Sequence, residues 1–424
     1  MAFQQLNSIV NRYFPSLTHR NFLIFWSGQG FSVIGTWMQN VGQAWLVLQL
    51  TNSPFKLGLV STIQFLPVML LSVFAGPFVD RFPKRKVLIF TQTMLMLLAF
   101  VLSAITFLHV VQYWHILVLA LLLGMVNTFD IPTRQSFVIE LAGREDLMNA
   151  ISLNSTVFNM ARVVGPAVAG LLIGLIGIAP CFLFNGISFL AVIVSLFFIN
   201  VPDYRAPQVA DTDVGNPFSR VLSSIGEGLN YIRKNSHILL PLALMAVLST
   251  FVMNFNIVVP TFVKIELSGN ATSFGLLMTA MGIGSFAGGL LLTLRSAGGP
   301  KAVRLIAGGA GMSLFLLLAG FQRSFLLSAV LLAVTGFFSV TFAASCNAYV
   351  QSNSIDSMRG RVMSVYSLVF GGVTPIGSLY AGALVDAASA SVCMVVSGAI
   401  GLCASVWVGL TGRRVQRLQL RGAA

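Results

Sequence analysis

The sequence predicts an all-α integral membrane protein with twelve transmembrane helices in two pseudo-symmetric six-helix bundles. Three observations lead to this fold class: strong hydrophobicity, apolar runs separated by short polar loops, and a weak repeat between the two halves. Of the 424 residues, 56% are hydrophobic and only 9% are charged, and the mean hydropathy is +0.87. A soluble protein carries about 25% charged residues. Most of the surface of this chain is therefore expected to face lipid.

The apolar runs are each long enough to cross a bilayer, which takes about 20 residues. The predicted spans lie near residues 21–50, 57–79, 87–108, 114–139, 147–177, 180–200, 237–263, 272–294, 302–320, 325–350, 359–385 and 390–411. An even number of spans places both termini on the same side of the membrane.

The basic residues indicate which side that is. Of the 25 lysines and arginines, only Lys56, Lys264 and Arg323 fall in the loops opposite the termini, and Arg162 lies within a span. Cytosolic loops are enriched in lysine and arginine, so both termini are expected in the cytosol. The same distribution explains the net charge of +13 without a continuous basic face for nucleic acid.

The domain organisation follows from the only long polar interruption, residues 201–236, which we interpret as a cytosolic linker with an interfacial helix. The expected segments are a cytosolic N-terminal segment 1–20, bundles 21–200 and 237–411 on either side of the linker, and a cytosolic tail 412–424. A common offset aligns Gly58, Thr62 and Lys84 with Gly275, Thr279 and Lys301, and a neighbouring offset aligns Gly165 and Gly170 with Gly377 and Gly382. Two parallel repeats are a common plan in transporters, with the substrate path between them.

The loop after the second span, GPFVDRFPKRK, places an acid among basic residues. It resembles the loop motif of the major facilitator superfamily at Gly76, Asp80, Arg81, Lys84 and Arg85, although Pro83 stands where that family has glycine. The resemblance implies that Asp80 docks near the start of the eleventh span and closes a cytosolic gate. Arg359 and Arg361 lie there as further charge partners. The alternative is that the basic residues only fix topology, which leaves Asp80 unexplained.

The fifth span contains ARVVGPAVAG, which resembles a motif of exporters in the same superfamily. The matching residues are Gly165, Pro166 and Gly170, and two family glycines are alanines here. The resemblance implies export, whereas the alternative is ordinary close packing of helices. With NTFDIPTRQSF in the fourth span, the chain resembles the enterobactin exporter and macrolide efflux branch over nearly its whole length.

Ionisable residues within spans are costly and are functional candidates by default. Asp130 and Arg134 lie one turn apart on the fourth span, and Arg162 lies on the fifth. Two hypotheses remain open at this stage. Asp130 and Arg134 form a static pair, or Asp130 exchanges a proton during the cycle, with Arg162 as its changing partner or as a substrate contact.

A polar stripe along the first span predicts one wall of a substrate cavity, because polar groups in a bilayer must face protein or water. The cavity candidates are Thr36, Trp37, Gln39, Asn40 and Gln43 of this stripe, with Asn127, Asn159, Thr250 and Asn254 on other spans. The alternative for any single residue is a hydrogen bond between helices.

No phosphate-binding loop, zinc-protease motif or nucleophile elbow is present in the sequence, so we expect no enzyme activity, cofactor or metal. The expected function is secondary active transport: a proton-coupled exporter of an amphiphilic drug, macrolide or siderophore. We place it in a bacterial cytoplasmic membrane as a monomer whose partners are the substrate, protons and lipid, without nucleic acid. Sodium coupling remains an alternative to protons, and a lipid flippase or a non-transporting sensor remains an alternative to export.

Overall fold

The computed structural model describes residues 14–79, 81–143, 145–199, 217–294 and 299–422 and is helical almost throughout. In its first half, a short 3₁₀ turn at Pro15–Thr18 precedes six long helices. These are α1 (Arg20–Thr51), α2 (Pro54–Val79), α3 (Lys84–Phe107), α4 (Tyr113–Ala142), α5 (Leu147–Ile176) and α6 (Ala179–Phe198).

The second half begins with an amphipathic helix and continues with six long helical segments. They are α7 (Pro217–Lys234), α8 (Ser236–Glu266), α9 (Ala271–Leu294), α10 (Ala302–Gly320), α11 (Phe325–Ser352), α12 (Asp356–Ala387) and α13 (Ala390–Gly422). Helix α13 continues through most of the segment predicted as a tail.

Eleven of the described helices are long and apolar enough to cross a membrane, so the chain is a multi-pass membrane protein. Helix α1 is not among the eleven, although its 32 residues exceed the length that a span needs. Its glutamines, asparagines, serines and threonines lower its hydropathy, and they include the polar stripe that predicts a cavity wall. The predicted span near 21–50 is therefore present as a helix.

Two of the spans are interrupted by π-helical turns. Helix α8 contains such turns at Leu248–Val252 and Phe262–Glu266, and α12 contains one at Leu368–Gly372. Backbone groups within a membrane need a partner inside the protein. In α8 the side chain of Asn254 donates to the carbonyl of Thr250 at 2.7 Å, which satisfies a group at the interruption. These two cavity candidates therefore stabilise the irregular backbone of their own helix.

Helices within each half pack mainly on one another. In the first half, α1 packs on α5 and α6, α2 on α4, and α3 on α4 and α6. In the second half, α11 packs on α9 and α10, and α13 on α8 and α10. Contacts between the halves are made chiefly by α2 with α12 and by α5 with α9. A path between the halves would therefore be bordered by these two helix pairs.

Candidate transport pathway

The first contact between the halves joins α2 to α12. A Cβ atom on Gly58 would collide with the carbonyl oxygen of Ser378 and would lie 3.2 Å from the Cα of Gly382. The hydroxyl of Thr62, one turn further along α2, donates to the carbonyl of Pro375 at 3.0 Å. Because only glycine leaves room for this approach, the two backbones are in direct contact at this point.

The second contact joins α5 to α9 in an equivalent way. A Cβ atom on Gly275 would lie 2.6 Å from the carbonyl oxygen of Pro166 and 2.7 Å from the Cα of Gly170. The hydroxyl of Thr279 lies 3.4 Å from the carbonyl of Val163 and donates to it. The two contacts match residue by residue at the offsets of the sequence repeat. Two residues of the fifth-span motif, Pro166 and Gly170, therefore lie at a contact between the halves.

Both contacts lie toward one end of the molecule, where α1 ends and α2 begins, which we call the gate end. Here the ammonium group of Lys264 on α8 donates to the carbonyl of Leu48 at 2.6 Å and to the side-chain oxygen of Asn52 at 2.7 Å. The hydroxyl of Ser53 donates to Asp386 at 3.2 Å. A cation is favoured at the C-terminus of α1, so Lys264 holds the second half against the first.

A polar cleft lies between α1, α2 and α8. It is lined by Asn40 and Gln43 from α1, Ser61 and Gln64 from α2, and Asn256 from α8, together with apolar neighbours. The side chain of Gln43 donates to Gln64 at 3.2 Å. Two residues of the predicted cavity wall thus lie in one cleft with polar residues of two other helices.

Other cavity candidates bond within the protein. Buried Gln39 accepts a hydrogen bond of 2.6 Å from buried Asn185 on α6, which joins two helices of the first half. The hydroxyl of Thr36 donates to the carbonyl of Ser32 in its own helix. Two further candidates are half-buried, Asn127 on α4 and Asn159 on α5. The side chain of Asn159 donates to the carbonyl of Ser155 in its own helix.

Asp130 is fully buried and has three donors around it. Its Oδ1 accepts from the hydroxyl of Thr91 at 2.7 Å and from the side chain of Gln92 at 2.8 Å, both on α3. Its Oδ2 pairs with Arg134 one turn along α4. The structure therefore brings Asp130 together with Arg134 and with two neutral donors, and the carboxylate makes no ion pair with Arg162.

Arg162 lies instead beside two aromatic rings. Its guanidinium group is 5.7 Å from the ring centre of Trp37, which packs edge-on against Phe158 at 5.7 Å. The buried Nε atom has no hydrogen-bond partner, and no described carboxylate forms an ion pair with this arginine. Gly165, the first of the three matching residues of the fifth-span motif, packs on the same tryptophan, since a Cβ atom added to it would lie 2.5 Å from the Cβ of Trp37.

The residues of the loop motif are placed at the other end of the molecule. Lys84 pairs with Glu140 of α4, and the guanidinium of Arg85 donates to the carbonyls of Leu196 at 2.7 Å and Phe197 at 3.1 Å on α6. Arg81 is exposed and Gly76 lies within α2, whereas Asp80 falls outside the described residues. Two of the motif's basic residues, Lys84 and Arg85, therefore contact the first half.

The arginines at the start of α12 have partners in the second half. Arg359 pairs with Asp356 at 2.7 Å, and Arg361 pairs with Glu227 of α7 at 2.7 Å. In the described part of the chain, neither arginine forms an ion pair with α2 or α3. Among the described residues, the ion pairs at this end stay within each half, whereas at the gate end hydrogen bonds from Lys264 and Ser53 join the two halves.

Sequence reasoning did not single out several residues that the structure places in these sites. Gln64 and Gln92 are isolated amides within apolar runs, which is a signal that could have found them. Lys264 is one of the few basic residues opposite the termini, and only the structure brings it to the end of α1. Asn256 lies two residues after Asn254 and lines the polar cleft, whereas the side chain of Asn254 bonds within its own helix.

A family model described as transmembrane secretion effector matches residues 12–418, which is nearly the whole chain. The chain belongs to this family of the major facilitator superfamily. Family membership makes it a membrane transporter and not an enzyme, and it agrees with the resemblance found in the loop and fifth-span motifs.

Its curated relatives are transporters and efflux proteins. It is 24% identical over 363 residues to the staphyloferrin A transporter of Staphylococcus aureus, covering 84% of this chain and 87% of the relative. It is 25% identical to the multidrug efflux pump Tap of Mycolicibacterium fortuitum, covering 81% and 84%. It is 23% identical to macrolide efflux protein A of Streptococcus pyogenes, covering 91% and 94%.

Solved structures show the same fold at low sequence identity. The nucleoside transporter NupG superposes with a TM-score of 0.70 at 12% identity, covering 92% of this chain and 98% of that chain. A bacterial homologue of the human lysosomal transporter Spinster, in an inward-facing and unoccupied conformation, superposes with a TM-score of 0.69 at 12% identity, covering 94% and 98%. These similarities support the fold alone.

Proposed function

We propose that the protein is a proton-coupled exporter of amphiphilic small molecules in a bacterial cytoplasmic membrane. The substrate would be a drug, a macrolide or a siderophore. The chain would have twelve spans in two six-helix bundles, with both termini in the cytosol. The two bundles would rock relative to one another about the polar cleft. The relatives support export, since their names describe a siderophore transporter, a multidrug pump and a macrolide efflux protein.

The observation that carries the proposal is the matched pair of backbone contacts at the gate end. Contacts at Gly58 and Gly275 close one end symmetrically, whereas Arg359 and Arg361 at the other end stay within the second half. We propose that the gate end faces outward and that this arrangement corresponds to the state open to the cytosol. An exporter loads its substrate in this state, and the polar cleft then lies along the path.

We assign proton coupling to Asp130. It is a fully buried carboxylate on a spanning helix, held by Arg134, Thr91 and Gln92. Coupling requires that this cluster opens during the cycle and that the carboxylate gains and loses a proton as the halves move. If the cluster stays intact throughout the cycle, Asp130 is a structural residue.

The test is uptake of labelled compounds into everted membrane vesicles with and without a pH gradient. The compounds are a macrolide, a catechol siderophore, a cationic dye and a lysolipid. We expect gradient-driven uptake by the wild type and its loss in Asp130→Asn, while Glu145→Gln, which removes an exposed loop carboxylate, leaves uptake unchanged. If the uptake rate depends neither on the pH gradient nor on the Asp130 substitution, proton coupling through this residue would be contradicted. Uptake of the lysolipid alone would favour a flippase.

A further inference from the structure

We infer that Arg162 is the binding site for an anionic group of the substrate, so that the exporter selects amphiphiles carrying a carboxylate or a similar planar anion. This inference rests on the proposed function and narrows its substrate class. It starts from a difference between the two half-buried arginines on α4 and α5, Arg134 and Arg162. Arg134 has a carboxylate partner in Asp130, whereas Arg162 pairs with no described acid.

The other described acids are engaged elsewhere or lie outside the spans. Five of them form ion pairs: Asp146 with His19, Glu140 with Lys84, Glu227 with Arg361, Glu266 with Arg323, and Asp356 with Arg359. Asp386 accepts from Ser53 at the gate end, and Glu145 is exposed in a loop. The charge of Arg162 is therefore not neutralised within the described part of the chain, at a depth where charge is costly.

The surroundings of Arg162 form a surface that a ligand can use. Trp37 lies under the guanidinium group, and half-exposed Phe158 packs edge-on against this indole. Guanidinium presents several N–H donors in one plane, which matches the two oxygens of a carboxylate, and it stacks on aromatic faces. Its buried Nε is a donor that currently has no partner. An apolar portion of the ligand would contact the two rings.

Asn40 of the polar cleft lies on the same face of α1 as Trp37. Asn40 is three residues beyond Trp37 and Gln43 six residues beyond, which corresponds to about 4.5 and 9 Å along the helix. A ligand with its anion at Arg162 would therefore reach the amides of the cleft with its other polar groups. A cationic substrate would place its charge against an uncompensated arginine in a medium of low dielectric constant, which is unfavourable.

The position of Arg162 also connects binding to movement. Its backbone carbonyl packs against α9, because a Cβ on Gly282 would lie 2.6 Å from that oxygen. The residue thus lies at the contact between α5 and α9, while its side chain lies over α1. An anion bound here would interact with the helix that separates from α9 when the gate end opens.

The experiment measures binding to the purified full-length protein in detergent, with no gradient. The probes are a fluorescent dansyl fatty acid, its neutral methyl ester and the corresponding primary amine, at a pH where the acid is ionised. We expect the wild type to bind the acid at least roughly tenfold more tightly than the ester, and the amine most weakly. Arg162→Gln should bind acid and ester equally, with its ester affinity unchanged. Arg162→Lys should keep part of the preference.

The control is Arg304→Gln, which removes the same charge from the start of α10, outside the cleft, and should retain the wild-type preference. The inference is overturned if the wild type does not prefer the acid, or if Arg162→Gln keeps the preference. A loss of ester binding in both Arg162 variants would show that this arginine is structural, and this too would overturn it. Binding uses no gradient, so a preference for the acid combined with absent vesicle uptake would contradict the proposed function alone.

Discussion

Gln39 and Gln43 of α1 lie one turn apart and have different roles in the structure. Gln39 is buried and accepts a hydrogen bond from Asn185 of α6, whereas Gln43 bonds to Gln64 in the polar cleft. Helical spacing predicts both as members of one polar stripe. The sequence does not show which neighbouring helix each side of the stripe contacts. It therefore cannot predict that Gln39 bonds to another helix of its own half while Gln43 lies in the cleft.

Gln39→Leu is expected to reduce the stability of the protein by about 1–3 kcal/mol, because the buried amide of Asn185 loses its acceptor. Gln43→Leu should have a smaller effect on stability, since Gln64 stays in a cleft that water can enter, but it should reduce transport. Thermal unfolding in detergent and vesicle uptake of the preferred substrate measure the two effects. Equal destabilisation by both variants would show that the two amides are equally structural.

At the scale of the helices, small residues decide which elements meet. Gly58 of α2 and Gly275 of α9 occupy equivalent positions in the repeat, and each allows a backbone of the other half to approach. The repeat was visible in the sequence, and it predicted that these glycines correspond. It did not predict that α2 meets α12 and that α5 meets α9, because periodicity shows the faces of a helix and not its partners.

The interruptions in α8 and α12 were also not predicted. The segment 248–252 contains no glycine or proline, so its pattern indicates an uninterrupted helix, whereas 368–372 contains Gly371 and Gly372, a signal that could have found the second interruption. The interruption in α8 depends on a side chain, Asn254, that satisfies the carbonyl of Thr250, and such a local bond leaves little trace in periodicity. Asn254 is a cavity candidate in the sequence, and in the structure its side chain bonds to a carbonyl of its own helix.

Replacing Gly58 or Gly275 with a larger residue should push the two halves apart at the gate end. Gly58→Ala and Gly275→Ala are each expected to disfavour the closed contact by about 1–3 kcal/mol, because the new Cβ meets a carbonyl oxygen of the facing helix. In a cysteine-free background, Ser61→Cys in the polar cleft should then react faster with a membrane-impermeant maleimide added outside the cell.

Gly226→Ala is the control for these two glycine substitutions, because a Cβ atom at this position of α7 meets nothing within 4 Å. It should leave the labelling rate of the cleft cysteine unchanged. The account of the gate end would fail if neither Gly58→Ala nor Gly275→Ala raised that rate in protein that still inserts and folds.

For the whole molecule, composition and the distribution of charge are sufficient to predict a multi-pass membrane protein. The loop and fifth-span motifs indicated the superfamily to which the family match assigns the chain. Which end is closed could not be predicted, because one sequence must be compatible with both states of a transport cycle. In the structure, the backbone contacts at Gly58 and Gly275 and the placement of Lys264 on the end of α1 close one end, whereas Arg361 at the other end pairs with α7.

The central claim is that the two halves alternate between a state closed at the gate end and one closed at the opposite end. The most direct test is a pair of distance measurements between spin labels, made on cysteine-free protein in lipid nanodiscs. One pair, Lys56→Cys with Ala387→Cys, spans the gate end, and the other, Glu145→Cys with Lys301→Cys, spans the opposite end between exposed loop positions. During the cycle, with substrate present and the pH lowered, the gate-end distance should increase while the opposite distance decreases. Distances that stay constant, or that increase and decrease together, would contradict the account.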